Sequence, residues 1–161
     1  MTAPRPIATD ILLEAGDWPS RARLRRIAAK VVDAANASLS PSVADGAELS
    51  LVFTDDAHSR ELSRRFLNKD KATNVLSFPA ASPESGRFGP ILGDIVLARE
   101  TVFHEAEAGG LTVEDHLAHL ILHGFLHILG YDHQDEAEAA AMERLETALL
   151  GGIGIADPYS R

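Results

Sequence analysis

Residues 123–133 read His-Gly-Phe-Leu-His-Ile-Leu-Gly-Tyr-Asp-His, which places His123, His127 and His133 in an H-x3-H-x5-H spacing. In a helix His123 and His127 lie one turn apart, about 6 Å along the axis and on one face. Two imidazoles so placed can share one metal ion. Gly130 predicts the helix stop, because glycine enters the left-handed conformation without a Cβ penalty. The chain can then turn back and deliver His133 as a third ligand. Three protein ligands with an open fourth position describe a catalytic zinc site rather than a structural one. The helix should begin at Thr112, which can cap its first turn, with Glu114 and Asp115 suited to the positive end of its dipole. Leu117, Leu120, Ile121, Leu122, Phe125, Leu126, Ile128 and Leu129 leave little of this helix for water, so it belongs in the core. Ordinary core or surface histidines are the alternative. That reading suits one histidine better than three at ligand spacing with the turn glycine in place.

The metzincin proteases carry H-E-x-x-H-x-x-G-x-x-H. Here the glycine and all three histidines keep that spacing, but Gly124 stands at the glutamate position. That glutamate is the protease's general base. The sequence therefore keeps the metal cage without the proton acceptor, and a metal-assisted reaction other than peptide hydrolysis by that route is expected. The chain has no cysteine, so the ligands must be nitrogen and oxygen. Zinc suits three neutral imidazoles; nickel, cobalt and copper also bind such ligands.

At 161 residues, 45% of them hydrophobic, one globular domain spanning 1–161 is expected. Met1–Asp10 lacks a basic start followed by an apolar stretch, and no run approaches 18 apolar residues. No signal peptide, no membrane span and a cytoplasmic location follow as expectations. Net charge is −9, which argues against a nucleic-acid partner at first sight. The charge is uneven, however: residues 1–87 hold 12 of the 15 Lys and Arg against 11 acids, and residues 88–161 hold 3 against 13. Such asymmetry permits a basic face on an acidic protein.

Patterning predicts a strand over Ile7–Leu13, then a helix opened by Trp18-Pro19-Ser20. Leu24, Ile27, Ala28, Val31, Val32 and Ala35 repeat on its inner side. Its outer face carries Arg21, Arg23, Arg25, Arg26 and Lys30, which read equally as a solvated face or an RNA contact. After a loop at Pro41–Gly46, Glu48–Thr54 alternates as a strand. Asp55 or Asp56 should cap a helix to about Phe66, and this helix and its exit bear Arg60, Arg64, Arg65, Lys69 and Lys71. Asn74–Phe78 is a short strand stopped by Pro79, and Pro79–Pro90 should be a mobile loop. Ile91–Ala98 reads as a buried strand. Asp94 inside it should be paired, orienting a site group or serving as a structural carboxylate. Arg99–Ala108 and Asp135–Leu150 complete the helices. His119, one turn before His123, either supports a ligand or is a satisfied core histidine. The order of elements points to an α+β fold: a small mixed sheet of about four strands with about five helices, the metal helix in the core.

The stretch HGFLHILGYDH strongly resembles the signature of the YbeY family, bacterial endoribonucleases of ribosomal-RNA maturation. The run from Asn68 to Pro79 is similar to the family's second block, and Leu92-Gly93-Asp94-Ile95 to its third. The resemblance implies a zinc-dependent endoribonuclease specific for single strands. It would act in maturation of the 3′ end of 16S rRNA and in ribosome quality control, with RNA and the small subunit as partners and no DNA. His123, His127 and His133 match the family's ligands for one Zn²⁺ per chain. Many members carry an arginine where this chain has Leu67; Arg64 and Arg65 lie close in sequence. These two and Lys69 are the candidate phosphate contacts. Phe78 and Tyr131 read as stacking or packing residues. Asp132, beside the third ligand, is the candidate proton acceptor, with a helix-exit cap as its structural alternative. Two other readings stand beside this one: a metallohydrolase on another substrate, and a non-catalytic ribosome-associated assembly factor with a structural metal.

Overall fold

The computed structural model describes residues 4–80 and 86–159. Its elements run β1 (Ile7–Leu13), α1 (Arg21–Leu39), β2 (Ala47–Thr54), α2 (Asp56–Leu67), β3 (Val75–Pro79), β4 (Ile91–Ala98), α3 (Arg99–Ala108), α4 (Val113–Ile128) and α5 (Glu136–Gly151). The fold is α+β, with a four-stranded mixed sheet and five helices, as the patterning predicts. The sheet order is β1-β2-β4-β3, with β1, β2 and β4 parallel and β3 antiparallel to β4.

Local chemistry sets the helix ends. Ser20, Asp55, Thr112 and Asp135 each accept a backbone N–H from the first turn of α1, α2, α4 and α5. Asn68 closes α2 in the left-handed conformation, φ 57°, which asparagine tolerates better than most residues.

One face of the sheet builds the main core. Ile11, Leu49, Leu51, Phe53, Ile95 and Leu97 meet the inner stripe of α1 and the apolar body of α4. Leu117, Ile121, Leu122, Phe125 and Leu126 of α4 are all 0–1% exposed. At about 1.5–3 kcal/mol for each such side chain, this burial holds the histidine helix rigidly against the strands.

The opposite face is only partly covered. Side chains alternate along a strand, so Asp94 and Val96 point away from Ile95 and from α4. Phe66 of α2 meets Phe78 of β3 edge-to-face at 5.6 Å on this side. Beyond α2, Asp10, Glu48 and Asp94 lie exposed. The expectation that Asp94 is buried and paired is thus corrected. An apolar run suggests burial on both faces, but here only the α4 face is closed along its whole length.

Two boundaries also differ from the patterning. β3 pairs through Pro79, and Ala80 N–H donates to Leu92 C=O at 3.0 Å. β3 is an edge strand, and the alternation of an antiparallel ladder turns the proline nitrogen outward, where no bond is lost. Of the loop expected to be mobile, residues 81–85 lie outside the described residues. Its end is pinned: Phe88 N–H donates to Ser42 C=O at 2.7 Å, Ala44 N–H to Phe88 C=O at 2.8 Å, and Glu48 N–H to Pro90 C=O at 2.7 Å.

Candidate metal centre

His123 and His127 stand one turn apart on α4 and bring their Nε2 atoms to 3.1 Å. Two nitrogens each about 2.0–2.1 Å from one tetrahedral ion are about 3.3–3.4 Å apart, so this spacing fits a shared ion. His133 completes the cluster: one ring nitrogen from each of the three lies within 4.8 Å of the other two. Its ring centroid is 5.5 Å from that of His123 and 4.9 Å from that of His127. His133 is exposed and the other two are half-buried, so the cluster opens to solvent on one side.

A Schellman turn delivers His133. Gly130 N–H donates to His127 C=O and Tyr131 N–H to Leu126 C=O, each at 3.0 Å. Gly130 takes φ +98°, a value L side chains avoid. The Asp132 carboxylate is committed to the same turn, accepting the His133 N–H at 2.7 Å. Burial lowers the pKa of His127, and the neighbouring His123 and His133 lower it further. The neutral imidazole this favours is the form that ligates a metal.

Gly124 has a steric reason. A Cβ there would lie 3.0 Å from Ile95 Cγ2 and 3.1 Å from Ser77 Oγ. The helix rests so closely on β3 and β4 that Ser77 Oγ donates to the Gly124 C=O at 3.2 Å. Any side chain at this position, glutamate included, must push Ile95 or Ser77 aside. Gly93 in β4 is constrained similarly: its Cβ would fall 2.4 Å from the Phe78 carbonyl oxygen.

Behind the histidines lies a carboxylate that sequence reasoning missed. Glu146 of α5 is fully buried. Its Oε2 accepts from His123 Nδ1 at 2.7 Å, and its Oε1 accepts from His119 Nε2 at 3.0 Å and from the Tyr159 hydroxyl. Burial alone would raise its pKa. The donors His119, His123 and Tyr159 outweigh that and lower it to about 2. Burial and the adjacent Glu146 push the Tyr159 phenol well above its ordinary range. His119 thus touches a ligand through Glu146, whereas Asp94 is on the far face of the sheet. The signal for Glu146 was present: it sits among Met142, Leu149 and Leu150 on the buried stripe of α5.

A groove of about 410 Å³ runs beside the cluster, lined by His123, His127 and His133 together with Leu67, Lys69, Ser77 and Pro79. Lys69 therefore lies in the same groove as the three histidines. Arg64 pairs with Glu61 on the exposed side of α2, and neither it nor Arg65 lines the groove. Leu67, in the position where the YbeY resemblance implies an arginine, is at the groove wall itself.

Fold and cluster together define a class: an α+β protein whose buried helix presents a three-histidine group able to hold a metal ion beside an open groove. The family model described as Endoribonuclease YbeY matches residues 14–154. The chain is 52% identical to the endoribonuclease YbeY of Agrobacterium fabrum, the match covering 93% of each chain. It is 49% identical to that of Azorhizobium caulinodans, covering 94% of this chain and 95% of the relative. The solution structure of a Thermotoga maritima protein shares the fold at TM-score 0.56 and 20% identity, covering 95% of this chain and 99% of that one. The chain belongs to the YbeY family.

Proposed function

We propose that this chain is a metal-dependent endoribonuclease that cuts single-stranded RNA. In this reading one Zn²⁺ per chain is held by His123, His127 and His133. The reaction serves maturation of the 3′ end of 16S rRNA and ribosome quality control in the cytoplasm, with the small ribosomal subunit as partner. The observation that carries it is the convergence of three imidazoles on the wall of an open groove in a chain of this family. The fit rests on donor chemistry and on the 3.1 Å separation of two ring nitrogens. When bound, the ion supplies Lewis-acid polarisation of a phosphoryl oxygen and acidifies water to a pKa of about 7.

The chain's own residues do the rest. Lys69 sits where it can neutralise a phosphate of a strand lying in the groove. Leu67 supplies an apolar wall there instead of a cation. Ser77 and Gly124 fix the depth of the helix, and Asp132 shapes the turn that presents His133. Proteolysis by a glutamate base at position 124 is disfavoured, because that position is glycine and Ile95 and Ser77 crowd even a Cβ there.

Incubating zinc-replete protein with a single-stranded RNA, beside an equally folded His127→Ala variant, tests the reading. Cleavage by the wild type alone is expected, and the 3′ ends produced distinguish attack by water from attack by the 2′-OH. Equal cleavage by both would refute it. A metal-bearing assembly factor is the outcome if neither cuts while zinc still binds.

A further inference from the structure

We propose that Glu146 and Tyr159 are positioning residues for the metal centre: Glu146 fixes which nitrogen His123 presents, and Tyr159 locks Glu146 in place. The inference rests on the reading that the three histidines hold a metal.

Glu146 is 0% exposed, and both its oxygens accept hydrogen bonds. A carboxylate accepts and does not donate, so each partner must bring the proton. The 2.7 Å contact to Oε2 puts that proton on His123 Nδ1, and the 3.0 Å contact to Oε1 puts one on His119 Nε2. With Nδ1 as N–H, His123 Nε2 keeps its lone pair. That nitrogen is the one 3.1 Å from His127 Nε2. A carboxylate on the far nitrogen of a ligating imidazole sets ring orientation and raises basicity. Among the described residues neither His127 nor His133 pairs with a carboxylate, so this support falls on His123 alone.

Tyr159 reaches Glu146 from beyond the end of α5. Its hydroxyl donates to Oε1 and lies 3.1 Å from His119 Nε2. The segment before it is tied to the helix. Asp157 Oδ1 accepts from Thr147 Oγ1 at 3.1 Å and from the Tyr159 N–H at 2.8 Å. Thr147 directly follows Glu146, so carboxylate and tyrosine are registered against each other. The two residues line a pocket of about 250 Å³ together with His123 and His133.

Metal-free protein would be titrated with Zn²⁺ against a chromophoric chelator, and its imidazole ¹H–¹⁵N spectrum recorded before zinc is added. For Glu146→Gln, about 10–100-fold weaker zinc binding is expected, with loss of the His123 Nδ1–H signal. Tyr159→Phe removes one hydroxyl from a residue that is 43% exposed and should leave the fold intact. A smaller loss of about 3–10-fold is expected there, with a shifted His123 signal. If Glu146→Gln fails to fold, Tyr159→Phe decides alone. Wild-type zinc affinity and an unchanged His123 signal in the folded variants, while His127→Ala loses zinc, would overturn this inference and spare the metal reading. Wild-type protein that binds zinc no better than His127→Ala would remove both.

Discussion

At position 124 the absence of a side chain is set by Ile95 and Ser77, not by helix preference. Glycine inside a helix costs about 1 kcal/mol relative to alanine, so Gly124→Ala would stabilise an isolated helix. Here the new methyl would press on Ile95 Cγ2 at 3.0 Å. Overpacking of that kind costs about 1–3 kcal/mol, so a net loss of about 1 kcal/mol is expected in urea unfolding. Gly124→Glu should lose about 3 kcal/mol or more, and should fail to gain peptidase activity in a casein assay. Glu146 makes a second residue-scale prediction. Its pKa in the folded protein, about 2, lies below its unfolded value of 4.5. Its contribution to stability is therefore complete above pH 4.5 and is lost as the pH falls towards 2. Metal-free wild type should destabilise steeply across that window in urea titrations, and Glu146→Gln should show a shallower slope.

Among the elements, α4 and its exit were the most legible part of the sequence. Periodicity, the Thr112 cap and the Gly130 stop are local signals, and all are used as read. The turn also yields a test. Gly130→Ala forces a Cβ into φ +98°, where left-handed backbone costs about 1–2 kcal/mol. The variant should lose stability by that amount, and zinc affinity with it, because the turn sets where His133 arrives. The rest of the site was illegible for a physical reason. Glu146 and Tyr159 join the centre from 23 and 36 residues beyond His123, and the apolar stripe of α5 that turns Glu146 inward does not say which side chains it will meet. Its Ala- and Glu-rich composition resembles a solvated helix. Asp94 failed in the opposite sense: its strand is apolar enough to read as enclosed, and only the tertiary position of α2 leaves that end of the face open.

For the whole molecule, the histidine helix is clamped between the sheet and α5, so ligand binding should be felt globally. An ion held at 100 times its dissociation constant adds about 2.7 kcal/mol. For a chain of this size that corresponds to a rise of about 5–10 °C in melting temperature. Calorimetry with and without zinc should show it in the wild type and not in His127→Ala. The acidic surplus lies in the second half of the chain, whereas Lys69 comes from the more basic first half and faces the groove. RNA binding should accordingly weaken as salt rises, even for a chain of net charge −9. The close seating of α4 on the β3–β4 hairpin also has a consequence for what this scaffold can become. Glutamate at position 124 costs this fold stability until Ile95 or Ser77 has shrunk, and shrinking either first leaves a void with no benefit. The route from this nuclease scaffold to a protease therefore crosses a fitness valley at least two substitutions wide, and selection acting one mutation at a time would be turned back at its edge.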